Sequence, residues 1–289
     1  MSSSTHFWRK SPTRGRLGVR TRLVLPRERT TLRKPILAVL ALLLVPALAF
    51  AGKTVTQGND TLKIKLVLDP AKASKSKEKL RATAATFDYM EDTTDGSRLE
   101  DLRSVVVNLG GPRFMFKAFP ACDETDAAEK GDKVCPDGSL VGKGTGTAEV
   151  HGDINDPSQD SELELDVKLY NGSLDTDKDG SPMTPRPGLL IYTKLGDSNI
   201  TIPFWGEKRG KQLAFRAQDE DPDPGVASLF EIKRIHIEID RRSVRRDGKR
   251  VPYLALPTKC DGAWIASATA DPYDGEPLTA KHKVRCTDA

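Results

Sequence analysis

The chain has 289 residues, with 45 lysines and arginines against 41 aspartates and glutamates, so its formal net charge is +4. The basic excess lies in residues 1–51, which hold ten of the lysines and arginines but only one acidic residue, Glu28. Residues 53–289 therefore carry 35 basic residues (45 less 10) and 40 acidic residues (41 less 1), a charge of −5. Nucleic-acid-binding domains are usually strongly basic, so this balance predicts no nucleic-acid partner.

Residues 35–51 have the three-part pattern of a secretory signal peptide. A positive flank is followed by an apolar core (36–45) and by overlapping Ala-x-Ala cleavage motifs (47–51). A transmembrane anchor is the alternative, but a spanning helix needs about 20 apolar residues and this run is shorter. We expect cleavage at the Ala-x-Ala motifs, contact with a membrane only through the signal segment before cleavage, and a disordered basic leader extension at 1–34.

Hydrophobic periodicity predicts strands from residue 61 onward. Every second side chain is apolar in 61–68 and again in 162–170, which predicts half-buried strands. The continuous β-branched run 104–109 predicts a central strand covered on both faces. Three glycines alternate in 141–150, which predicts close packing or a bend of that strand.

The C-terminal part of the chain continues this pattern. In 229–240 the apolar set changes from even to odd positions, which predicts a β-bulge near 233–234. Residues 262–270 and 278–286 predict a closing strand pair.

About ten or eleven short strands with little helix are typical of an all-β protein. We expect an antiparallel β-sandwich that forms a single domain over 53–289. Two β subdomains split near 153–160 are the alternative.

Four cysteines, Cys122, Cys135, Cys260 and Cys286, all follow the predicted signal segment. Four cysteines in an exported chain indicate two disulfides, although three connectivities are possible. Proximity in sequence favours pairing the first with the second and the third with the fourth. These features predict a secreted protein that folds outside the cytosol and that could reside at the cell surface.

One acidic loop has the spacing of a calcium ligand set. Asp175, Asp177 and Asp179 fall at alternate positions before a glycine, as in a calcium-binding loop, and Ser181 could add a carbonyl oxygen. The twelfth position is Arg186 instead of a bidentate glutamate, so an EF-hand is excluded. A weak calcium turn and a plain acidic turn remain the two interpretations, and no other cofactor is expected.

No catalytic constellation stands out. The chain lacks a Gly-x-Ser-x-Gly elbow, and its cysteines are all expected in disulfides. After residue 51 the histidines are His151, His236 and His282, none with a second histidine at metal-ligand spacing. His236 alternates with isoleucines and is predicted on the outer face of its strand. We place His151 on the surface as well.

Short segments rich in Cys, Gly and Pro, at 119–122, 135–144, 257–260 and 273–275, precede Cys286. They resemble segments of a group of uncharacterised secreted proteins from actinobacteria, the high-GC Gram-positive bacteria. The resemblance spans most of the chain after the signal segment. It implies an exported bacterial β protein, and the group has no known activity to transfer.

Two classes of function remain after these exclusions. The first is a non-enzymatic extracellular or surface-associated protein with a structural or binding role, for which an extracellular glycan or cell-surface component is the expected partner. The second is a secreted glycan-active or other hydrolase that uses an unidentified carboxylate pair. Aromatic rings could stack on sugars, although most are expected in the core. The candidates are Trp205, Trp264, Tyr192, Tyr253 and Tyr273.

Overall fold

The computed structural model describes residues 53–99, 102–152, 159–176, 182–195, 201–216, 230–273 and 275–289. These residues belong to one compact unit, Leu48–Ala289. The predicted leader and signal segment lie outside the described residues, as does most of the predicted subdomain boundary. In the described part of the chain, no helix has the length and apolar character needed to cross a bilayer.

The described residues form seventeen strands, one α-helix and two single 3-10 turns. The strands are β1 (Lys53–Gln57), β2 (Asp60–Asp69), β3 (Ala84–Thr93), β4 (Leu102–Asn108), β5 (Arg113–Phe114), β6 (Cys122–Asp123), β7 (Leu140–Val150), β8 (Ser161–Thr176), β9 (Pro182–Leu195), β10 (Thr201–Arg209), β11 (Gln212–Arg216), β12 (Phe230–Ile239), β13 (Ser243–Arg246), β14 (Lys249–Pro252), β15 (Leu254–Ala255), β16 (Ala263–Pro272) and β17 (Leu278–Arg285). The helix is α1 (Glu124–Lys130), and the 3-10 turns are Phe116–Ala118 and Asp132–Val134.

Thirteen strands form one sheet that nearly closes on itself. Its order is β1-β2-β3-β12-β7-β8-β9-β10-β11-β4-β16-β17, with β6 paired to β8 off this path. Every pairing along the path is antiparallel. The last strand, β17, packs against β1 and β2 at the other end of the order. The Leu66 N–H also donates to Nδ1 of His282 on β17, at 3.0 Å.

The expectation of an all-β antiparallel fold with little helix is confirmed. The structure has more strands than predicted because β1 precedes the predicted strands and because β5, β6 and β13–β15 span only two to four residues each. Strands that short show no hydrophobic period in the sequence.

The core lies on the inner face of the nearly closed sheet. The alternating apolar residues of β2 are buried as predicted, from Leu62 at 0% to Leu68 at 6% exposure. β4 occupies a central position between β11 and β16, also as predicted. It is less covered than expected, because Val107 is buried but Val106, on the opposite face, is half-buried.

The glycines of β7 allow a close approach to β12. A Cβ atom at Gly142, Gly144 or Gly146 would lie within 3 Å of a carbonyl oxygen of β12. The prediction of close packing is therefore confirmed. β12 also carries the predicted bulge, because its register against β7 shifts between Ile232 and Arg234.

Two disulfides are present, with the predicted pairing. Cys122 and Cys135 are joined with a Cα–Cα distance of 4.6 Å, and Cys260 and Cys286 with a distance of 6.0 Å. The first bridge lies in a smaller apolar cluster that includes Ala127 of α1. This cluster packs on the outer face of β8 and β9, because Tyr170, Leu190 and Tyr192 alternate with inward-facing residues of those strands.

Candidate functional site

Along strands β2, β3, β12 and β7, a group of carboxyl residues lies at one end of the sheet and a group of basic residues lies at the other. Strands β2, β3, β12 and β7 are neighbours in this order, and each runs antiparallel to the one before it. The start of one strand therefore lies beside the end of the next. The acidic end, as we call it, comprises the starts of β2, β8 and β12 and the ends of β3 and β7. Its buried or half-buried carboxyl residues are Asp60, Glu91, Glu149, Asp160 and Glu231.

The opposite, basic end holds segments 70–82 and 240–252. Together they contain eleven lysines and arginines but only three acidic residues. The first segment connects β2 to β3, and the second includes the β13–β14 hairpin. The buried Ser74 hydroxyl donates to the Leu256 carbonyl at 2.6 Å and accepts from the Arg81 N–H at 2.8 Å. These bonds fix the first segment against the core.

A basic pocket of about 230 Å³ lies between these segments. Of its nine lining residues, five are basic and none is acidic. The basic residues are Lys75, Lys79, Arg81, Arg241 and Arg250. Within the described ranges, none of the five has a carboxylate oxygen within 4.0 Å. Like charges this close repel one another, so a bound anion would lower the electrostatic free energy of the pocket.

The basic pocket also offers a neutral donor. Ser243 lines it, and the Ser243 hydroxyl oxygen is buried and makes no hydrogen bond to any described residue. A buried hydroxyl without a partner costs free energy, and an anion in the pocket would supply the missing acceptor.

At the acidic end, His151 directly follows β7, and its side chain is 1% exposed. Its Nδ1 lies 3.1 Å from Asp160 Oδ2, and its Nε2 lies 3.2 Å from Glu231 Oε1. Both distances are those of ion pairs, but neither contact has the geometry of a hydrogen bond. The imidazole is thus held between two carboxylates that come from different parts of the chain.

Cations flank the same carboxylates. Arg98 donates two hydrogen bonds to Asp160, at 2.8 Å from Nε and 2.6 Å from Nη2, and this pairing lowers the pKa of Asp160 to about 2. Lys233, beside the β-bulge, pairs with Glu149. One ligand atom from each of Glu149, His151 and Asp160 lies within 4.8 Å of the others. This spacing would allow the three side chains to share a metal ion.

The prediction that His151 lies on the surface is wrong. One of its partners, Asp160, precedes β8, and the other, Glu231, lies on β12. Because both are carboxylates, a search for a second histidine does not find them. Glu149 and His151 are two residues apart, which places them on the same side of an extended chain. Glu231 lies opposite Glu149 in the register of β7 and β12. The Glu-x-His spacing at the end of a strand was the available signal.

Glu91, near the end of β3, is a buried carboxyl residue that is 6% exposed. The Tyr89 hydroxyl donates a hydrogen bond to it. Burial is the main cause that raises the pKa of Glu91 to about 7; the charges of Asp60 and Glu231 also raise it, and the Tyr89 bond lowers it. Glu91 also lines a second pocket, of about 160 Å³, together with Asp92. A carboxyl group with this pKa can exchange a proton near neutral pH.

The predicted calcium loop is described only in part. Asp177, Asp179 and Ser181 lie outside the described residues. Asp175, near the end of β8, faces Asp123, the N-cap of α1. Burial raises the pKa of Asp123, and the neighbouring Asp175 carboxyl raises it further, against the backbone hydrogen bond from Asp126. Calcium binding by this loop stays a prediction.

Most of the aromatic candidates for sugar stacking lie in the core, as expected. Tyr192, Tyr253 and Trp264 are at most 7% exposed, and Trp205 and Tyr273 are half-buried. Tyr253 makes edge contacts with three phenylalanine rings that follow β4.

His236 lies on the outer face of β12, as predicted. Its Nδ1 is 2.5 Å from Asp88 Oδ1, and its Nε2 is 3.7 Å from Glu238 Oε1. Its side chain is 36% exposed, so it resembles His151 in its partners but not in its burial.

Comparisons of the chain with protein-family models, with curated proteins and with solved structures found no significant match.

Proposed function

We propose that the protein is a secreted or cell-surface-associated, non-enzymatic binding protein whose basic pocket binds a phosphate-bearing glycan or other anionic component of the cell surface. The observation that carries this proposal is the cluster of five cationic side chains around the pocket, without a carboxylate partner in the described residues. Three of them are arginines, which bind phosphate oxygens through two parallel hydrogen bonds.

The disulfides support export. Two disulfides and no free cysteine among the described residues are typical of a protein that folds in an oxidising compartment. The signal-peptide pattern and the resemblance to secreted actinobacterial proteins favour the same location. An anionic polymer outside the cytosol is therefore the partner within reach of the pocket.

The distribution of charge favours a local anionic group over a nucleic acid. The two basic segments have a net charge of +8, whereas residues 53–289 as a whole carry −5. Long-range attraction of a polyanion needs an extended basic surface. The rest of the chain is net negative, so favourable contacts with an anion are confined to the basic end, which suits a local phosphate or other anionic group of a cell-surface component.

We further propose that the nearly closed sheet is a β-sandwich and that residues 53–289 form a single domain. Strands β2 and β8 are separated by three strands in the sheet order, yet Leu62 of β2 and Leu165 of β8 belong to one core cluster. Side chains from two facing parts of a sheet that meet in one core are typical of a sandwich.

Calorimetric titration of the secreted, disulfide-intact protein with inorganic polyphosphate and with a neutral dextran tests this function. We expect binding of polyphosphate only. The double substitution Arg241→Ala/Arg250→Ala should weaken binding about tenfold or more, since each lost phosphate contact is worth about 1 kcal/mol or more. The charge-matched control is Lys281→Ala/Lys283→Ala, on exposed positions of β17, which should change the affinity less than about twofold.

Equal weakening by the two double variants would mean that polyphosphate responds only to total charge, which contradicts a role for the pocket. Absence of binding by the wild type would reject the function.

A hydrolase is the second candidate, and Glu91 is the observation that favours it. A general acid needs a carboxyl pKa near the working pH, and Glu91 has a pKa of about 7. Glu91 is one of the residues around the second pocket, although its side chain faces the inner side of β3, opposite to that of Asp92. Hydrolysis of a glycan panel by wild type, lost in Glu91→Gln but kept in Glu164→Gln, an exposed carboxylate of β8 outside this pocket, would establish it. No hydrolysis by the wild type, or hydrolysis retained by Glu91→Gln, rejects Glu91 as the acid.

A further inference from the structure

Among the described residues, neither ring nitrogen of the buried His151 imidazole has a hydrogen-bond partner. Both ring nitrogens face carboxylate oxygens, at 3.1 and 3.2 Å, and neither contact is a hydrogen bond by geometry. Buried polar atoms without partners are rare in folded proteins, and each one calls for an explanation. A neutral imidazole also carries only one N–H, so it cannot donate to both carboxylates.

We propose that Glu149, His151 and Asp160 form a binding site for a divalent transition-metal ion, with Zn²⁺ as the best match. Their ligand atoms lie within 4.8 Å of one another, and they are the donor types, one nitrogen and two carboxylate oxygens, that zinc accepts. The proposal is independent of the basic pocket, which lies at the opposite end of the sheet.

The contact between His151 and Asp160 has the length expected of two ligands on one ion. Ligands about 2.0–2.1 Å from zinc at tetrahedral angles are about 3.3 Å apart. The Nδ1–Oδ2 distance is 3.1 Å. His151 Nδ1 and Asp160 Oδ2 are therefore already about as far apart as two ligands of one zinc ion. Of the three ligands, only the Glu149 side chain has to move to bind the ion.

Glu231 and Arg98 occupy the positions of supporting residues. With Nδ1 on the metal, the Nε2 of His151 carries the N–H and faces Glu231 at 3.2 Å. A carboxylate that accepts from the second nitrogen of a metal-bound histidine orients the ring and is a common feature of zinc sites. Arg98 holds Asp160 through two hydrogen bonds and leaves lone pairs of the carboxylate for an ion.

The charges of the cluster balance when a dication is bound. Glu149, Asp160 and Glu231 contribute three negative charges, and Arg98 contributes one positive charge. A divalent ion brings this sum to zero once Lys233 has left Glu149. Lys233 can leave, because its side chain is 28% exposed at the bulge. A neutral cluster is cheaper to bury than a charged one. Competition from Lys233 leads us to expect moderate affinity.

The test uses the secreted protein, which is stripped with a chelator and then titrated with Co²⁺ and Zn²⁺. We expect one equivalent of Co²⁺ to produce the visible absorption bands of a four- or five-coordinate ion. Zn²⁺ should displace the Co²⁺ and raise the melting temperature. His151→Ala should abolish both effects, and the matched control His236→Ala, which removes a histidine between two surface carboxylates, should retain both.

His151→Ala could fail to fold, so Glu149→Gln provides a second measurement at a more exposed ligand. Loss of this carboxylate should weaken Co²⁺ binding about tenfold or more, as typical of metal-site variants. The proposal is overturned if wild type binds neither ion, if His236→Ala abolishes binding, or if folded His151→Ala and Glu149→Gln bind as wild type does.

Discussion

At the scale of single residues, the buried pair of Tyr89 and Glu91 makes the stability of the folded protein depend on pH. The two side chains are two residues apart on β3, so both face inward, and the tyrosine hydroxyl donates to the carboxyl group. Burial raises the pKa of Glu91 from 4.5 to about 7. Between these two pH values the unfolded chain releases the Glu91 proton, whereas the folded protein retains it.

The contribution of Glu91 to stability is therefore complete below about pH 4.5 and falls as the pH rises to about 7. The loss is at most about 3 kcal/mol. Glu91→Gln keeps an acceptor for Tyr89 and cannot ionise, so this fall should be absent from the variant. Denaturant unfolding of wild type and variant at about pH 5 and pH 8 measures the difference.

The control for this experiment is Glu162→Gln, an exposed carboxylate at the same pocket, which should leave the wild-type pH dependence unchanged. Identical pH dependence in wild type and Glu91→Gln would show that Glu91 ionises normally in the folded protein.

Single residues were predictable where one periodicity decided their environment. The inward set of β2 and the outward position of His236 follow from alternation along one strand. The burial of His151 was not predictable in this way, because it depends on Asp160 and Glu231. These residues precede β8 and lie on β12, and only the folded sheet brings them next to His151. The environment of Glu91 was not predictable for a related reason. Alternation places Glu91 inward, but it does not show that the Tyr89 hydroxyl donates a hydrogen bond to it.

At the scale of elements, β7 and β12 form the closest strand contact described above. Gly144→Ala would place a methyl group against the His236 carbonyl oxygen, which belongs to backbone that is paired on both sides. We expect a loss of at least about 2 kcal/mol in the free energy of unfolding, because overpacking against backbone cannot be relieved by a side-chain rotation. Thr145→Ala, at the exposed neighbouring position, should cost less than about 1 kcal/mol. Equal stability of the two variants would contradict the close approach.

The turn between β8 and β9 is the element in which the predicted calcium site lies. Asp175 and Asp123 face each other at its base, and a cation would relieve their repulsion. Extracellular modules bind calcium with dissociation constants of about 10⁻⁴–10⁻³ M. At ten times that concentration the stabilisation is about 1.4 kcal/mol. Thermal melts in calcium and in chelator should show this increase in wild type, and Asp175→Asn should reduce it.

Asp166→Asn, an exposed carboxylate in the middle of β8, serves as the control for the calcium experiment and should keep the wild-type response. A melting temperature that is the same in calcium and in chelator would leave the acidic turn as the correct interpretation.

At the scale of the whole molecule, local pairings were predictable and distant ones were not. The β16–β17 hairpin and both disulfides join cysteines or strands that are near in sequence. The pairing of β3 with β12 and of β4 with β16 joins segments more than 100 residues apart. Hydrophobic alternation states which face of a strand is buried, but it contains no information about the neighbouring strand. The acidic and basic ends depend on those distant pairings. The sequence therefore shows parts of the candidate sites, such as the Glu-x-His spacing of Glu149 and His151, but not the residues that complete them.

The basic segments and the carboxylates around His151 lie at opposite ends of β2, β3, β12 and β7, so together they contribute an electric dipole along these strands. A strand of ten residues such as β2 is about 30 Å long, which sets the separation of the two groups. Near an anionic surface the field exerts a torque on this dipole within about one Debye length, which is about 10 Å at 0.1 M salt. An approaching molecule is turned with segments 70–82 and 240–252 towards the surface, while the His151 cluster points back to the medium. At 1 M salt the Debye length falls to about 3 Å, so the molecule is no longer oriented before it touches the surface.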